Sequence, residues 1–261
     1  MRILLTNDDG IDAPGLHALR QIAAEIACNP GDEVWVVAPE TNQSGKGHSL
    51  SLHEPLRMRE LDERAFAVRG TPTDSVIMAL RHVLKGRRPD LILSGVNRGS
   101  NVAEDVTYSG TIAAAFEGTL FGVRSIALSQ SFGFEREAPR WQTAIAHAPA
   151  VIRDVLSREW PENLLVNVNF PDREPHDVAG TRFTRHGRRD QDLLAIDERQ
   201  DTWGNAYYWL AFERRRSNPA EDTDLWAVYN GYVSVTPLLL NLTHNETLQA
   251  WRPPLSPASG T

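Results

Sequence analysis

Arg2 to Thr6 is a short apolar run, and in the stretch after it Leu16, Leu19, Ile22, Ala23 and Ile26 recur at helical spacing. This predicts a strand, a loop and a helix over Gly15 to Ala27. Glu33 to Ala38 is a second β-rich run closed by Pro39, and Ser49 to Val68 alternates as short antiparallel strands do. The opening therefore reads as a βαβ unit followed by an inserted ribbon. Asp74 to Leu84 then has helical periodicity, Leu91 to Ser94 is a buried strand, Thr111 to Phe121 a helix and Ser125 to Leu128 a strand. Trp141 to Ser157 supplies a further helix and Leu164 to Phe170 a further strand. Such alternation predicts an α/β fold, a mostly parallel sheet flanked by helices.

Pro171 and Pro175 interrupt this pattern, which places a boundary between a core of residues 1–172 and a β-rich C-terminal segment of residues 173–261. From Arg182 to Val235 the chain is dense in Arg, Asp and Glu and carries Trp203, Tyr207, Tyr208, Trp209 and Trp226. Alternation over Ala206 to Glu213 predicts a hairpin. A segment this charged cannot build a core of its own, so the whole Arg182 to Val235 region is expected to project as a β arm. Its aromatics would pack on a second copy of the chain, giving a homodimer or homotetramer, or else against the body of the same chain as a compact monomer. Pro253 to Thr261 reads as a frayed tail.

Composition changes the picture little. Hydrophobic residues at 41% and charged residues at 23% of 261 are those of a folded globular chain. MRILLTNDDG lacks the roughly 7–15 apolar residues of a secretory core, and no stretch reaches the roughly 18 of a membrane span. Cys28 is the only cysteine, which excludes an intrachain disulfide and a thiolate zinc site and fits a reducing, cytoplasmic compartment. A net charge of −7 disfavours a broad nucleic-acid surface, and no stable nucleic-acid complex is expected. The runs Arg185 to Arg189 and Arg214 to Arg216 serve either as local anion pockets or as solvated faces.

The chemistry lies where strands of a parallel sheet end, because loops leaving that edge build the ligand site of open α/β proteins. After the first strand comes Asn7-Asp8-Asp9-Gly10, after the second a loop containing Ser44, and after Leu91 to Ser94 the loop Gly95-Val96-Asn97-Arg98-Gly99. Adjacent carboxylates repel each other unless a cation lies between them or one is protonated. The hard oxygens of Asp8, Asp9, the Ser44 hydroxyl and the Asn97 amide suit Mg²⁺ or Mn²⁺ and leave coordination positions open. Asp-Asp-Gly is also ordinary turn chemistry. Between Asn101 and Thr111, Ser109, Gly110 and Thr111 run directly into a helix, an arrangement that cradles an anion or simply caps the helix. His48 is a candidate proton donor, or a structural histidine.

TNDDGI at Thr6 to Ile11, VVAP with QSG and GHS through Ser49, GTPTD at Gly70 to Asp74, SGVNRGSN at Ser94 to Asn101 and SGT at Ser109 to Thr111 occur in that order. RFTR at Arg182 to Arg185, YYW at Tyr207 to Trp209 and GYVSVTPL at Gly231 to Leu238 follow. In these motifs the chain resembles the SurE survival-protein family of nucleotidases over nearly its whole length. The resemblance implies a Rossmann-like core and one divalent cation at Asp8, Asp9, Ser44 and Asn97. It also implies hydrolysis of nucleoside 5′- and 3′-monophosphates, and homo-oligomers with an exchanged C-terminal arm.

The mechanism expected from this set is metal-assisted hydrolysis, with donors at Asn101, Ser109, Gly110 and Thr111 stabilising charge on the phosphate and Asp8 or Asp9 available as a base. An aspartyl-phosphate route competes less well, since a carboxylate committed to a metal attacks poorly. Two other functions use the same residues differently: a non-catalytic nucleotide- or RNA-binding stress protein, and a metal-dependent nucleotide-sugar transferase.

Overall fold

The computed structural model describes residues 1–133, 138–190, 194–212 and 217–252, without the side chains of Ala211 and Phe212. Glu213, Arg214 to Arg216 and the Pro253 to Thr261 tail, all named above, lie outside the described residues. Strand β1 (Arg2–Thr6) is buried from Ile3 onward because it is central, hydrogen-bonded in parallel to β2 (Glu33–Pro39) on one side and β5 (Leu91–Arg98) on the other. Outside β2 lie β4 (Ala65–Arg69) and then β3 (Arg57–Asp62); outside β5 lie β6 (Arg124–Gln130) and β7 (Leu164–Phe170). The sheet is completed beyond β7 by β11 (Tyr232–Leu239) and, at the edge, β8 (Gly180–Phe183).

Helices cover both faces, which is why the inner strands are apolar along their length rather than alternating. Helix α1 (Pro14–Ile26) and α5 (Trp141–Leu156) pack on one face, where Leu16, Leu19, Ile22 and Ile152 meet Ile3, Leu5 and Leu93. Helix α2 (Pro72–Met78), continued by a π-helical turn over Ala79–Val83, and α4 (Gly110–Leu120) pack on the other, against Leu4, Val37 and Ile92. The GTPTD motif is the start of α2. Thr71 and Asp74 form a reciprocal capping box, each side chain accepting the other's backbone N–H. A short α3 (Asp105–Tyr108) precedes α4, while α6 (Asp224–Tyr229) and α7 (Asn245–Trp251) lie in the C-terminal part.

Three expectations change. Within the ribbon, Ser49 to Leu56 forms no strand, and only β3 is antiparallel. The long segment after β2 carries β3 to the outside, so that its hairpin partner β4 pairs with β2 in parallel. Strand β5 runs four residues beyond Ser94, to Arg98, with an irregularity between Ser94 and Asn97. The third change is the larger one: the Arg182 to Val235 region is not a single arm.

Among the described residues only β9 (Leu194–Gln200) and β10 (Ala206–Phe212) stand apart, pairing with each other and with no other strand. Strands β8 and β11 join the main sheet, because Val233 and Val235 complete its apolar face. Trp226 lies on α6, stacked on Tyr232 at 6.0 Å. Ile196, Trp203, Tyr208, Trp209 and Leu210 of the hairpin are exposed.

Candidate active site

The parallel strands β1, β2, β4, β5, β6 and β7 deliver their carboxyl ends to one edge, and three of the loops there are tied together by backbone hydrogen bonds. The Gln43 amide donates to the Asp8 carbonyl at 2.7 Å, the Ile11 amide to the Pro39 carbonyl at 2.8 Å, and the Arg98 amide to Asp9 Oδ2 at 3.0 Å. Loops distant in sequence thus converge on Asp8 and Asp9. Asn7 Nδ2 closes the first loop on the Gly10 carbonyl.

Asp8 is buried and faces the first turn of α4. The Thr111 hydroxyl donates to Asp8 Oδ1 at 2.5 Å, and the Thr111 backbone N–H adds a second bond. A Cβ built on Gly110 would lie 2.8 Å from Asp8 Cβ and 3.0 Å from Pro72 Cγ, so only glycine lets the helix start approach the carboxylate this closely. Burial pushes the Asp8 carboxyl up to about 6, with the charge of Asp9 adding to the shift and the Thr111 bonds opposing it. Asp9 is also raised by burial, against the Arg98 amide and guanidinium. Its other oxygen faces Asn42 Nδ2 at 3.4 Å.

Asn97 is buried one residue before the amide that holds Asp9, and its Nδ2 donates to the Gly99 carbonyl at 2.9 Å. That fixes the side-chain oxygen as the end available to a ligand. Ser44 lies exposed on the loop anchored to Asp8 by Gln43, its backbone N–H bonded to Asn42 Oδ1 at 2.8 Å. Among the described residues no group of three or more His, Cys, Asp or Glu side chains could hold a metal. A cation here would therefore take two carboxylates and neutral oxygens, a donor set that fits a hard divalent ion. Two neighbouring carboxyls raised by burial, Asp8 also by the charge of Asp9, are what such an ion relieves.

In the expected cradle Thr111 donates its hydroxyl hydrogen to Asp8, so this group orients a carboxylate. Ser109 Oγ caps α4 by accepting the Ile112 amide at 3.1 Å, and its own hydrogen remains available. Asn101 is held on the neighbouring strand end: Asn167 Nδ2 and Asn169 Nδ2 donate to its carbonyl at 2.7 and 3.2 Å, its amide donates to Asn169 Oδ1, and its Nδ2 donates to Ser129 Oγ at 2.8 Å. The two asparagines were a signal in the sequence, polar residues at alternate positions of an otherwise apolar strand.

The segment from Val102 to Asp105 is clamped by the C-terminal region. Arg189 Nη2 lies 2.6 Å from Asp105 Oδ2, Arg189 Nη1 donates to the Val102 carbonyl, and Asp224 accepts the amides of Ala103 and Gly187. Arg185 pairs with Asp222 at 2.6 Å. In that basic run these two arginines are committed to carboxylates. His48 Nε2 lies 2.9 Å from Glu117 Oε2 on α4, a contact with the helix flank rather than with the carboxylate loop.

The family model described as survival protein SurE matches residues 3–192. The chain is 54% identical over its full length to the 5′-nucleotidase SurE of Parvibaculum lavamentivorans, covering 92% of that protein. It is 58% identical to the 5′-nucleotidase SurE of Methylobacterium nodulans over 95% of this chain and 97% of that one. The crystal structure of the SurE protein from Aquifex aeolicus superposes with a TM-score of 0.82 at 40% identity, covering 96% of this chain and 98% of its own.

Proposed function

The chain belongs to the survival protein SurE family and is a 5′-nucleotidase, and from that premise we propose that one divalent cation, Mg²⁺ or Mn²⁺, is held by Asp8, Asp9, Ser44 and Asn97. The observation that carries this reading is the pair of adjacent carboxyls, both raised by burial, with Asp8 braced against the start of α4 and Asp9 against the amide of Arg98. When bound, the cation polarises a phosphoryl oxygen and acidifies a water.

The remaining work falls to the chain. Thr111 and Gly110 hold Asp8 in place, while the amide of Arg98 holds Asp9. The Ser109 hydroxyl and the second N–H of the Asn101 side-chain amide, whose first is bonded to Ser129 Oγ, are the donors for the phosphate, and the first turn of α4 favours its charge. The substrates are nucleoside 5′- and 3′-monophosphates. Asp9, the less buried carboxylate, is the group to take a proton from the attacking water.

The exposed aromatic hairpin supports assembly into a homodimer or homotetramer. No described helix is long and apolar enough to cross a membrane. The single cysteine supports a reducing, cytoplasmic setting, and the net charge of −7 supports the absence of a stable nucleic-acid complex. The test is phosphate release from nucleoside monophosphates with added Mn²⁺ and with chelator: metal-stimulated release is expected, and full activity in chelator would overturn the proposal.

A further inference from the structure

On the flank of Asp9 lies a cleft of about 410 Å³ for which the phosphate chemistry has no use. Its inner wall is Asp9, Asn42 and Arg98, so it is continuous with the carboxylate loop, and its outer wall includes Pro14, Pro139 and Trp141. The outer wall is carbon-rich, two pyrrolidine rings and an indole. A Cβ on Gly15 would come 3.2 Å from the Trp141 ring and 1.9 Å from the Val96 carbonyl oxygen, so the indole is seated against the start of α1 through a position that only glycine can occupy. Its size is within the usual range for a small organic ligand.

Charge narrows the choice of occupant. Arg98 is the only cation among the described lining residues, it faces the Phe132 ring with 5.3 Å to the centroid, and the Asp9 carboxylate lies in the same wall. One guanidinium offset by one carboxylate attracts a second phosphate weakly. A neutral planar group fits flat carbon surfaces better, and it would remain joined to a phosphate at the adjacent loop.

We propose that this cleft is the nucleoside subsite, in which the base of the substrate stacks on Trp141; the inference rests on the nucleotidase function and extends it to base recognition. Stacking accepts any base, because every base presents a π-face. The enzyme should then discriminate strongly between nucleotides and base-free phosphomonoesters and weakly among bases.

The experiment compares kcat/KM for adenosine 5′-monophosphate with that for β-glycerophosphate, which has no base. Trp141→Ala is expected to lower this ratio about tenfold, the size of one lost base–aromatic contact, through KM for the nucleotide, and Trp141→Phe to restore most of it. Because Trp141 also packs on the core, a second variant fills the cleft instead. Ala13→Leu adds bulk at a lining position whose backbone, φ −67° and ψ 140°, any residue adopts, and it should lower the ratio in the same direction. An unchanged ratio in both variants overturns the subsite alone. A wild-type enzyme that fails to hydrolyse adenosine 5′-monophosphate with Mn²⁺ overturns the nucleotidase function and the subsite with it.

Discussion

The Thr111 hydroxyl donates to Asp8 Oδ1 at 2.5 Å, joining the loop after the first strand to the first turn of α4. The helix start thus serves a carboxylate of the chain itself, and in the proposed function Ser109 serves the substrate. Thr111→Val keeps the shape and removes the donor, so Mn²⁺ affinity measured by calorimetric titration should fall about tenfold or more, as for a lost hydrogen bond to a charged group. Ser109→Ala should leave metal affinity intact while costing about 1 kcal/mol of helix capping and weakening inhibition by inorganic phosphate. The opposite pattern would mean that the two side chains exchange these roles.

Removing the carboxylates tests the metal directly. Asp8→Ala and Asp9→Ala should each lower kcat by about a hundredfold or more, since the cation stabilises several kcal/mol of charge in the transition state. Steady-state kinetics with saturating Mn²⁺, beside a chelator-treated wild type, measure it. Circular dichroism should show both variants folded.

The raised Asp8 carboxyl makes the metal-free protein sensitive to pH. Unfolded, the group ionises near its ordinary value of 3.8, whereas folded it keeps its proton to about 6, so between those values the folded state binds more protons. Stability therefore falls as pH rises through this window, by roughly 3 kcal/mol from this group, and Asp9 acts in the same direction. Urea unfolding in chelator from pH 4 to 7 should show the decline, Asp8→Asn should flatten it, and Mn²⁺ at neutral pH should recover the lost stability.

Arg189 ties the C-terminal region to the loop that leads into the cradle. Its side chain is mostly buried between Glu104 and Asp105, and truncation strands the partly buried Asp105 carboxylate. Arg189→Ala should lower stability by roughly 2–3 kcal/mol, and it should raise KM more than it lowers kcat. Thermal unfolding followed by initial-rate kinetics separates the two effects.

Assembly is tested by the hairpin. Replacing Leu194–Phe212 with a short Gly-Ser linker removes the exposed Ile196, Tyr208, Trp209 and Leu210 while leaving the nine-stranded sheet untouched. Light scattering should report a dimer or tetramer for the intact chain and a smaller mass for the deletion. An intact chain that is monomeric at low concentration would refute the arm's role.

Local pattern sufficed for much of this protein. The apolar runs at Ile3–Leu5, Val36–Ala38, Leu91–Leu93 and Leu164–Val166, and the helical spacing from Leu16 to Ile26, specify strands and a helix that must be buried wherever they lie. Adjacent carboxylates at the end of the first such strand make that loop the candidate site, because repulsion between them demands a remedy. Three matters were settled only by packing between distant segments. The sheet order put β4 rather than β3 beside β2; Val233 and Val235 drew β11 into the core, and β8 paired with it at the sheet edge, reducing the arm to a hairpin; and Thr111 turned toward Asp8. A hydroxyl at a helix start can cap, bind a ligand or orient another side chain with the same chemistry. The choice depends on which acceptor the folded chain brings within bonding distance, and Asp8 lies 103 positions away in the sequence.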